Sequence, residues 1–176
     1  MKTRVVILIG IMLVWSSMGF AQKIETRIVP DFTLPDINGN TVSMSKSLGQ
    51  GPIYISFWAT YCKPCLEELK IIEKYYEKYK DQGFRVFAID MEGPKTQSKV
   101  KSLITSMGFK FDILLDNNGD VFRRKFKGSS TPYSFLVSPE GKIVFSSVGF
   151  KPGDEVKIEK LIVENLQPVK DTSGTY

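Results

Sequence analysis

Residues 53–65 read Ile53-Tyr54-Ile55-Ser56-Phe57-Trp58-Ala59-Thr60-Tyr61-Cys62-Lys63-Pro64-Cys65. The largely apolar run Ile53–Trp58 predicts a strand buried on both faces. From Cys62 to about Lys80 the pattern turns helical, and Gly83 stops it. The two cysteines of the chain therefore open a helix. Residues at i and i+3 share one helix face, with Cβ atoms about 5–6 Å apart. That spacing suits a disulfide with little backbone movement. The unpaired N–H groups and positive dipole of a helix N-terminus favour a thiolate at the first cysteine. Pro64 falls in the first turn, where its missing N–H costs little. Cys62 is thus expected to be the exposed, attacking thiol and Cys65, one turn inward, the resolving one. A static structural disulfide is a poor alternative. A loop with two intervening residues removes little entropy from the unfolded chain.

Outward from this motif, strands alternate with helices. Upstream, Asp31–Leu34 and Thr41–Met44 flank a turn containing Asn38-Gly39-Asn40, a hairpin signal. Downstream, Arg85–Ile89 reads as a second buried strand. Val100, Leu103, Ile104 and Met107 recur at i, i+3, i+4 and i+7 and predict an amphipathic helix ending at Gly108. Ile113–Leu115 is a third strand, and Asp120–Phe126 a short helix. Pro132 interrupts before a strand over Ser134–Val137. Ser138–Gly141 then turns the chain into Ile143–Ser147. Ile158, Leu161, Ile162 and Asn165 mark a last helix. The pattern is that of an α/β fold with a mixed central sheet flanked by helices. No linker appears between Val29 and Leu166, so residues 22–176 read as a single domain with a frayed tail from about residue 167.

Composition narrows the chemistry. The chain has 176 residues, 42% apolar and 24% charged, which disfavours disorder and fibrous folds. There is no histidine. This removes Ser-His-Asp and Cys-His nucleophile pairs and His-based zinc sites. Two cysteines cannot complete a metal cage alone, and no cofactor is required by the motif. At the N-terminus, Lys2 and Arg4 precede the apolar run Val5–Trp15, and Gly19-Phe20-Ala21 supplies a cleavage-like site. Residues 1–21 are therefore expected to be a signal peptide, with a membrane tether through residues 5–20 as the alternative. Export to the periplasm or the exterior of the cell envelope follows. Loss of Lys2 and Arg4 would lower the net charge from +5 to +3. The basic cluster Arg123, Arg124, Lys125 and Lys127 is read as a solvated helix face, with no nucleic-acid partner.

The motif is similar to the Trp-Cys-x-x-Cys active site of the thioredoxin superfamily, with Tyr61 where Trp usually precedes the first cysteine. Thr131-Pro132 resembles the cis-proline loop of that superfamily, and Pro139–Lys142 with the following strand its terminal hairpin. Val29–Leu34 with Asn38-Gly39 resembles the N-terminal hairpin of TlpA/ResA-type proteins and peroxiredoxins. A helix over about Thr96–Met107 fits the helical insertion of the TlpA/ResA branch. The resemblance covers about residues 29–166 and implies a thioredoxin-like fold and a redox-active Cys62–Cys65 pair. It also implies a substrate groove built from Trp58, Tyr61, Pro64, Thr131 and Pro132, with Trp58 equally readable as a core residue. Ser56 stands where thioredoxin itself carries a buried Asp. Glu68 stands where the TlpA/ResA branch tends to place a Glu, while Lys70 replaces the Pro that often follows.

Glu68 is also singled out by geometry. At about 100° per residue from Cys65, Leu69, Ile72, Tyr75, Tyr76 and Tyr79 span an arc from roughly −80° to +40°. Glu68 lies at about −60°, inside it. It is expected to be a partly buried functional carboxylate, the alternative being an exposed first-turn residue favoured by the helix dipole. The expected activity is that of an exported protein-disulfide reductase acting through Cys62 and Cys65. The resemblance implies disulfide-bearing client proteins such as apocytochrome c, and a membrane electron donor. The alternatives are disulfide exchange in the oxidase direction, a thiol peroxidase, and a non-catalytic thiolate metal carrier. Ala59 occupies the position where peroxiredoxins carry Thr, which disfavours the peroxidase.

Overall fold

The computed structural model describes residues 27–166. At its centre is β3 (Ile53–Trp58), whose six residues are all buried, as its apolar run dictates. A strand buried on both faces needs neighbours on both edges. β4 (Arg85–Asp90) lies parallel on one side and β6 (Tyr133–Val137) antiparallel on the other. β5 (Asp112–Leu115) and β7 (Ile143–Val148) complete a five-stranded sheet of order β5-β4-β3-β6-β7. The N-terminal hairpin forms a separate sheet from β1 (Thr33–Pro35) and β2 (Thr41–Ser43). Its turn is held by Asp36, whose Oδ1 accepts the amides of Asn38 and Asn40, each at 2.8 Å.

The parallel pair β3–β4 requires a crossover, supplied by α2 (Lys63–Tyr79). A short 3₁₀ turn and Gly83 at φ 91° end it. Gly83 also abuts Gly51. A Cβ on Gly51 would lie 2.4 Å from the Gly83 carbonyl oxygen, so the start of β3 and the entry to β4 pack backbone to backbone. The second crossover is α3 (Gln97–Met107), and α4 (Asp154–Asn165) closes the described chain. All three helices bury their apolar faces on one side of the sheet, with Leu69, Ile72, Val100, Ile104, Ile158 and Ile162 in one core cluster. The other side is covered by the N-terminal segment, α1 (Met44–Ser47) and a π-helical turn over Val121–Lys125.

Three elements differ from expectation. The second hairpin strand ends at Ser43, because Met44 turns its fully buried side chain inward and starts α1. The first begins at Thr33 rather than Asp31. The short helix expected over Asp120–Phe126 is the π turn Val121–Lys125. The buried Asp116 carboxylate accepts the amides of Val121 and Phe122, and the Phe126 amide reaches back to the Val121 carbonyl. This geometry turns Phe122 and Phe126 inward and leaves Arg123, Arg124 and Lys125 exposed. Arg124 pairs with Asp120 at 3.2 Å, and Lys125 donates to the Asp31 carbonyl at 2.6 Å.

Candidate active site

β3 delivers the chain to the carboxyl end of the sheet, where Ala59–Cys62 forms a tight turn closed by the Cys62 amide on the Ala59 carbonyl at 3.0 Å. Cys62 is the N-cap of α2, Pro64 lies in its first turn, and Cys65 follows one turn along. The two sulfurs are joined in a disulfide with a Cα–Cα distance of 5.3 Å. Cys62 is 8% exposed and Cys65 not at all, so both are buried, Cys62 less completely than Cys65 and more deeply than the exposed thiol expected from the sequence. The sequence neighbours of Cys62, namely Tyr61, Lys63 and Pro64, are exposed, Tyr61 at 75%.

The Thr131–Pro132 peptide bond is cis. Tyr133, the next residue, pairs with Phe57, so Pro132 sits at the same end of the sheet as the cysteine turn. Trp58 lies elsewhere than in a groove wall. It is fully buried in the core cluster that holds both cysteines, because even-numbered β3 residues face the helices, and its indole Nε1 has no partner among the described residues.

Glu68 is more deeply buried than expected, at 1% exposure. Its Oε1 accepts the Tyr54 hydroxyl at 2.5 Å and the Ser134 hydroxyl at 2.5 Å, and its Oε2 accepts the Ser56 hydroxyl at 3.0 Å. Ser56 and Ser134 are register partners on β3 and β6, so the sheet presents both hydroxyls to one carboxyl. Burial pushes the Glu68 carboxyl above its ordinary value, and the three hydroxyl donors, which favour the ionised form, only partly oppose it. Burial, and then the Glu68 charge beside it, pushes the Tyr54 phenol well up. Glu68 is legible in the sequence and its partners are not. Their signal was two serines interrupting buried strands, since a buried hydroxyl requires an acceptor.

A mixed sheet flanked by helices, with a Cys-x-x-Cys disulfide at a helix N-terminus and a cis-proline at the same end of the sheet, defines a thioredoxin-like redox protein. Residues 26–146 match the AhpC/TSA family, and the chain belongs to it. It is similar to "Thiol-disulfide oxidoreductase ResA" of Bacillus subtilis (strain 168), 32% identical over 152 residues covering 85% of this chain and 79% of the relative. The Bacillus anthracis protein of that name is 29% identical over 141 residues, 78% of this chain and 79% of its own. Among solved structures, a thioredoxin-like protein from Porphyromonas gingivalis superposes with a TM-score of 0.66 at 38% identity, covering 78% of this chain and 91% of that one. The thioredoxin domain of a thiol-disulfide oxidoreductase from Bacteroides vulgatus gives 0.67 at 26%, covering 78% and 96%. The chain is a thiol–disulfide oxidoreductase of this kind.

Proposed function

We propose that the protein reduces disulfides of exported client proteins, with Cys62 as nucleophile and Cys65 as resolving thiol. The observation that carries this reading is the disulfide at the N-terminus of α2, with Cys62 the less deeply buried of its two cysteines. In the dithiol state, the Cys62 thiolate attacks one sulfur of the client disulfide. A mixed disulfide forms, and the first client sulfur leaves as a thiolate that takes up a proton. Deprotonated Cys65 then attacks the Cys62 sulfur. The Cys62–Cys65 bond forms and the second client thiolate leaves and is protonated. Two electrons pass from protein to client, and no bound cofactor takes part. Tyr61, Pro64, Thr131 and Pro132 supply the surface on which the client's extended chain docks.

Residues 1–21, which lie outside the described residues, support export or a membrane tether through their basic start and apolar run. Among the described residues, no helix is long and apolar enough to cross a membrane. A membrane-held donor would regenerate the dithiol. In this reading Glu68 acts on the cysteines. As an ionised neighbour it opposes a second negative charge and holds the thiols protonated. Glu68→Gln keeps the size and removes the charge, so alkylation of Cys62 should shift to lower pH with the fold intact.

Trapping tests the assignment. Cys65→Ser should accumulate a mixed disulfide with clients through Cys62, because nothing resolves it, and Cys62→Ser should not. Equal trapping by both variants would reverse or remove the assigned roles. The direction of flow is read from the potential of the Cys62–Cys65 couple. A value near about −270 mV supports a reductase, and one near about −120 mV an oxidase.

A further inference from the structure

A second polar cluster lies beside the cysteine turn, on the same face of the sheet as the disulfide. Glu92, two residues beyond β4, reaches across to Thr60, the first inner residue of the turn that delivers Cys62. Its Oε1 accepts the Thr60 hydroxyl at 3.0 Å, and its Oε2 accepts the Thr60 amide. Both donors of Thr60 thus end on one carboxylate. Glu92 is in turn tied to Asp90, the last residue of β4, whose Oδ2 takes the Glu92 amide at 3.4 Å. The Met91 amide bonds the Trp58 carbonyl at 3.3 Å, locking this corner to the end of β3. Asp90 is 1% exposed, and its other oxygen, Oδ1, is buried without a partner among the described residues.

A carboxyl left half-satisfied in the interior is costly, and such a group in a native fold calls for a reason. Its register neighbours are Trp58 on β3 and Leu115 on β5, neither charged. Asp116, after β5, keeps its carboxylate on the amides of Val121 and Phe122. From α3 the inward residues are Val100 and Ile104. From α2 the face carries Glu68 and, once the disulfide opens, the two thiols. Glu92 completes the set, and none of these groups is a cation.

We propose that Asp90 and Glu92 are positioning residues of the redox site: Glu92 pins the turn that presents Cys62 by taking both donors of Thr60, and Asp90 anchors Glu92 while setting the charge on that face. This inference rests on Cys62 being the attacking thiol. Burial, reinforced by the Glu92 charge, pushes the Asp90 carboxyl up to about 7. Below that pH Asp90 is mostly neutral. Above it, the Asp90 charge appears on the disulfide's side of the sheet and makes the Cys62 thiolate less favourable.

The test is the rate of iodoacetamide alkylation of the fully reduced protein from pH 5 to 9, with the modified cysteine identified by peptide mass. The wild-type profile should flatten near pH 7. Asp90→Asn should lose that inflection and alkylate Cys62 severalfold faster between pH 7 and the thiol's own pKa. Glu92→Gln, which lowers the charge beside Asp90, should move the inflection to lower pH. Should Asp90→Asn fail to fold by circular dichroism, the Glu92→Gln shift decides alone. Profiles of the folded variants superimposable on wild type, with Cys62 still the modified residue, overturn the positioning role and leave the assignment of Cys62 standing. Modification of Cys65 before Cys62 instead overturns the nucleophile assignment, and this inference with it.

Discussion

The two faces of the central sheet are equally buried and differently built. On one, Phe57 of β3 meets the rings of Phe122 at 5.2 Å and Phe126 at 4.9 Å, and Phe135 of β6 lies 4.9 Å from Phe126. That side is filled mainly by aromatic and aliphatic side chains, with Phe32, Leu34, Met44 and Leu114 completing it and the Asp116 carboxylate holding the π turn. On the other, the same strands present Tyr54, Ser56, Trp58, Ser134 and Asp90 toward the helices, together with Glu68 and the disulfide. Alternation along a strand assigns successive residues to opposite faces, so Ser134 and Phe135, adjacent in sequence, belong to different chemistries. One face supplies cohesion. The other carries the disulfide together with the buried carboxyls of Glu68 and Asp90, both held above their ordinary values by burial.

The comparison breaks most sharply at Phe135. Its truncation to Ala leaves a cavity in the aromatic face and should cost about 3–5 kcal/mol. Denaturant unfolding reads the loss, and the pH profile of Cys62 alkylation should stay where it was. A moved profile would mean that the faces are not separable.

The second expectation concerns pH. Glu68 and Asp90 both have native carboxyls held above their ordinary values, Asp90 near 7. The unfolded chain therefore releases these protons at lower pH than the native state does. Stability should fall as pH rises from about 4 toward 7, the window between the two Asp90 values, with Glu68 adding its own fall from the ordinary Glu range upward. Each pKa unit of difference is worth about 1.4 kcal/mol. Unfolding curves across that window should flatten in the Asp90→Asn, Glu68→Gln double variant. Identical slopes in variant and wild type would show that these carboxyls titrate as exposed ones.

A smaller effect is expected at Ser134. Ser134→Ala removes one of three hydroxyls donated to Glu68 and should cost about 1–2 kcal/mol. It should also push the Glu68 carboxyl further up, because the lost donor favoured the ionised form. Carbon-13 chemical shifts of the Glu68 carboxyl against pH would show it. The smallest effect lies outside both faces. Arg124 is exposed and, among the described residues, pairs with Asp120, four residues before it. Arg124→Ala should change stability by no more than about 0.5 kcal/mol, and a thermal melt suffices to check this.

Much of this molecule is legible in one dimension because its signals are local. The apolar run Ile53–Trp58, the cysteine pair at a helix start and the 3.6-residue periodicity of α2, α3 and α4 each depend on residues a few places apart. Helix and strand periods sort them without knowledge of the rest. The Asp36–Asn40 turn and the stop at Gly83 are equally local, resting on side-chain acceptors and a left-handed backbone. Glu68 was found by its angle on the helix, which is again local. Its partners were not, since Tyr54 and Ser134 lie 14 and 66 residues away in the chain. The grip of Glu92 on Thr60 spans 32 residues. Met44 and the π turn depart from their local patterns because the inward pull of the core, and a buried Asp116 offering its carboxylate to two amides, outweigh local propensity. The sequence by itself determined the order of strands and helices, the redox pair and the helix that carries it. Only the tertiary structure decided which acid meets which hydroxyl, because sheet register and helix packing bring distant residues together and burial then sets what their charges cost.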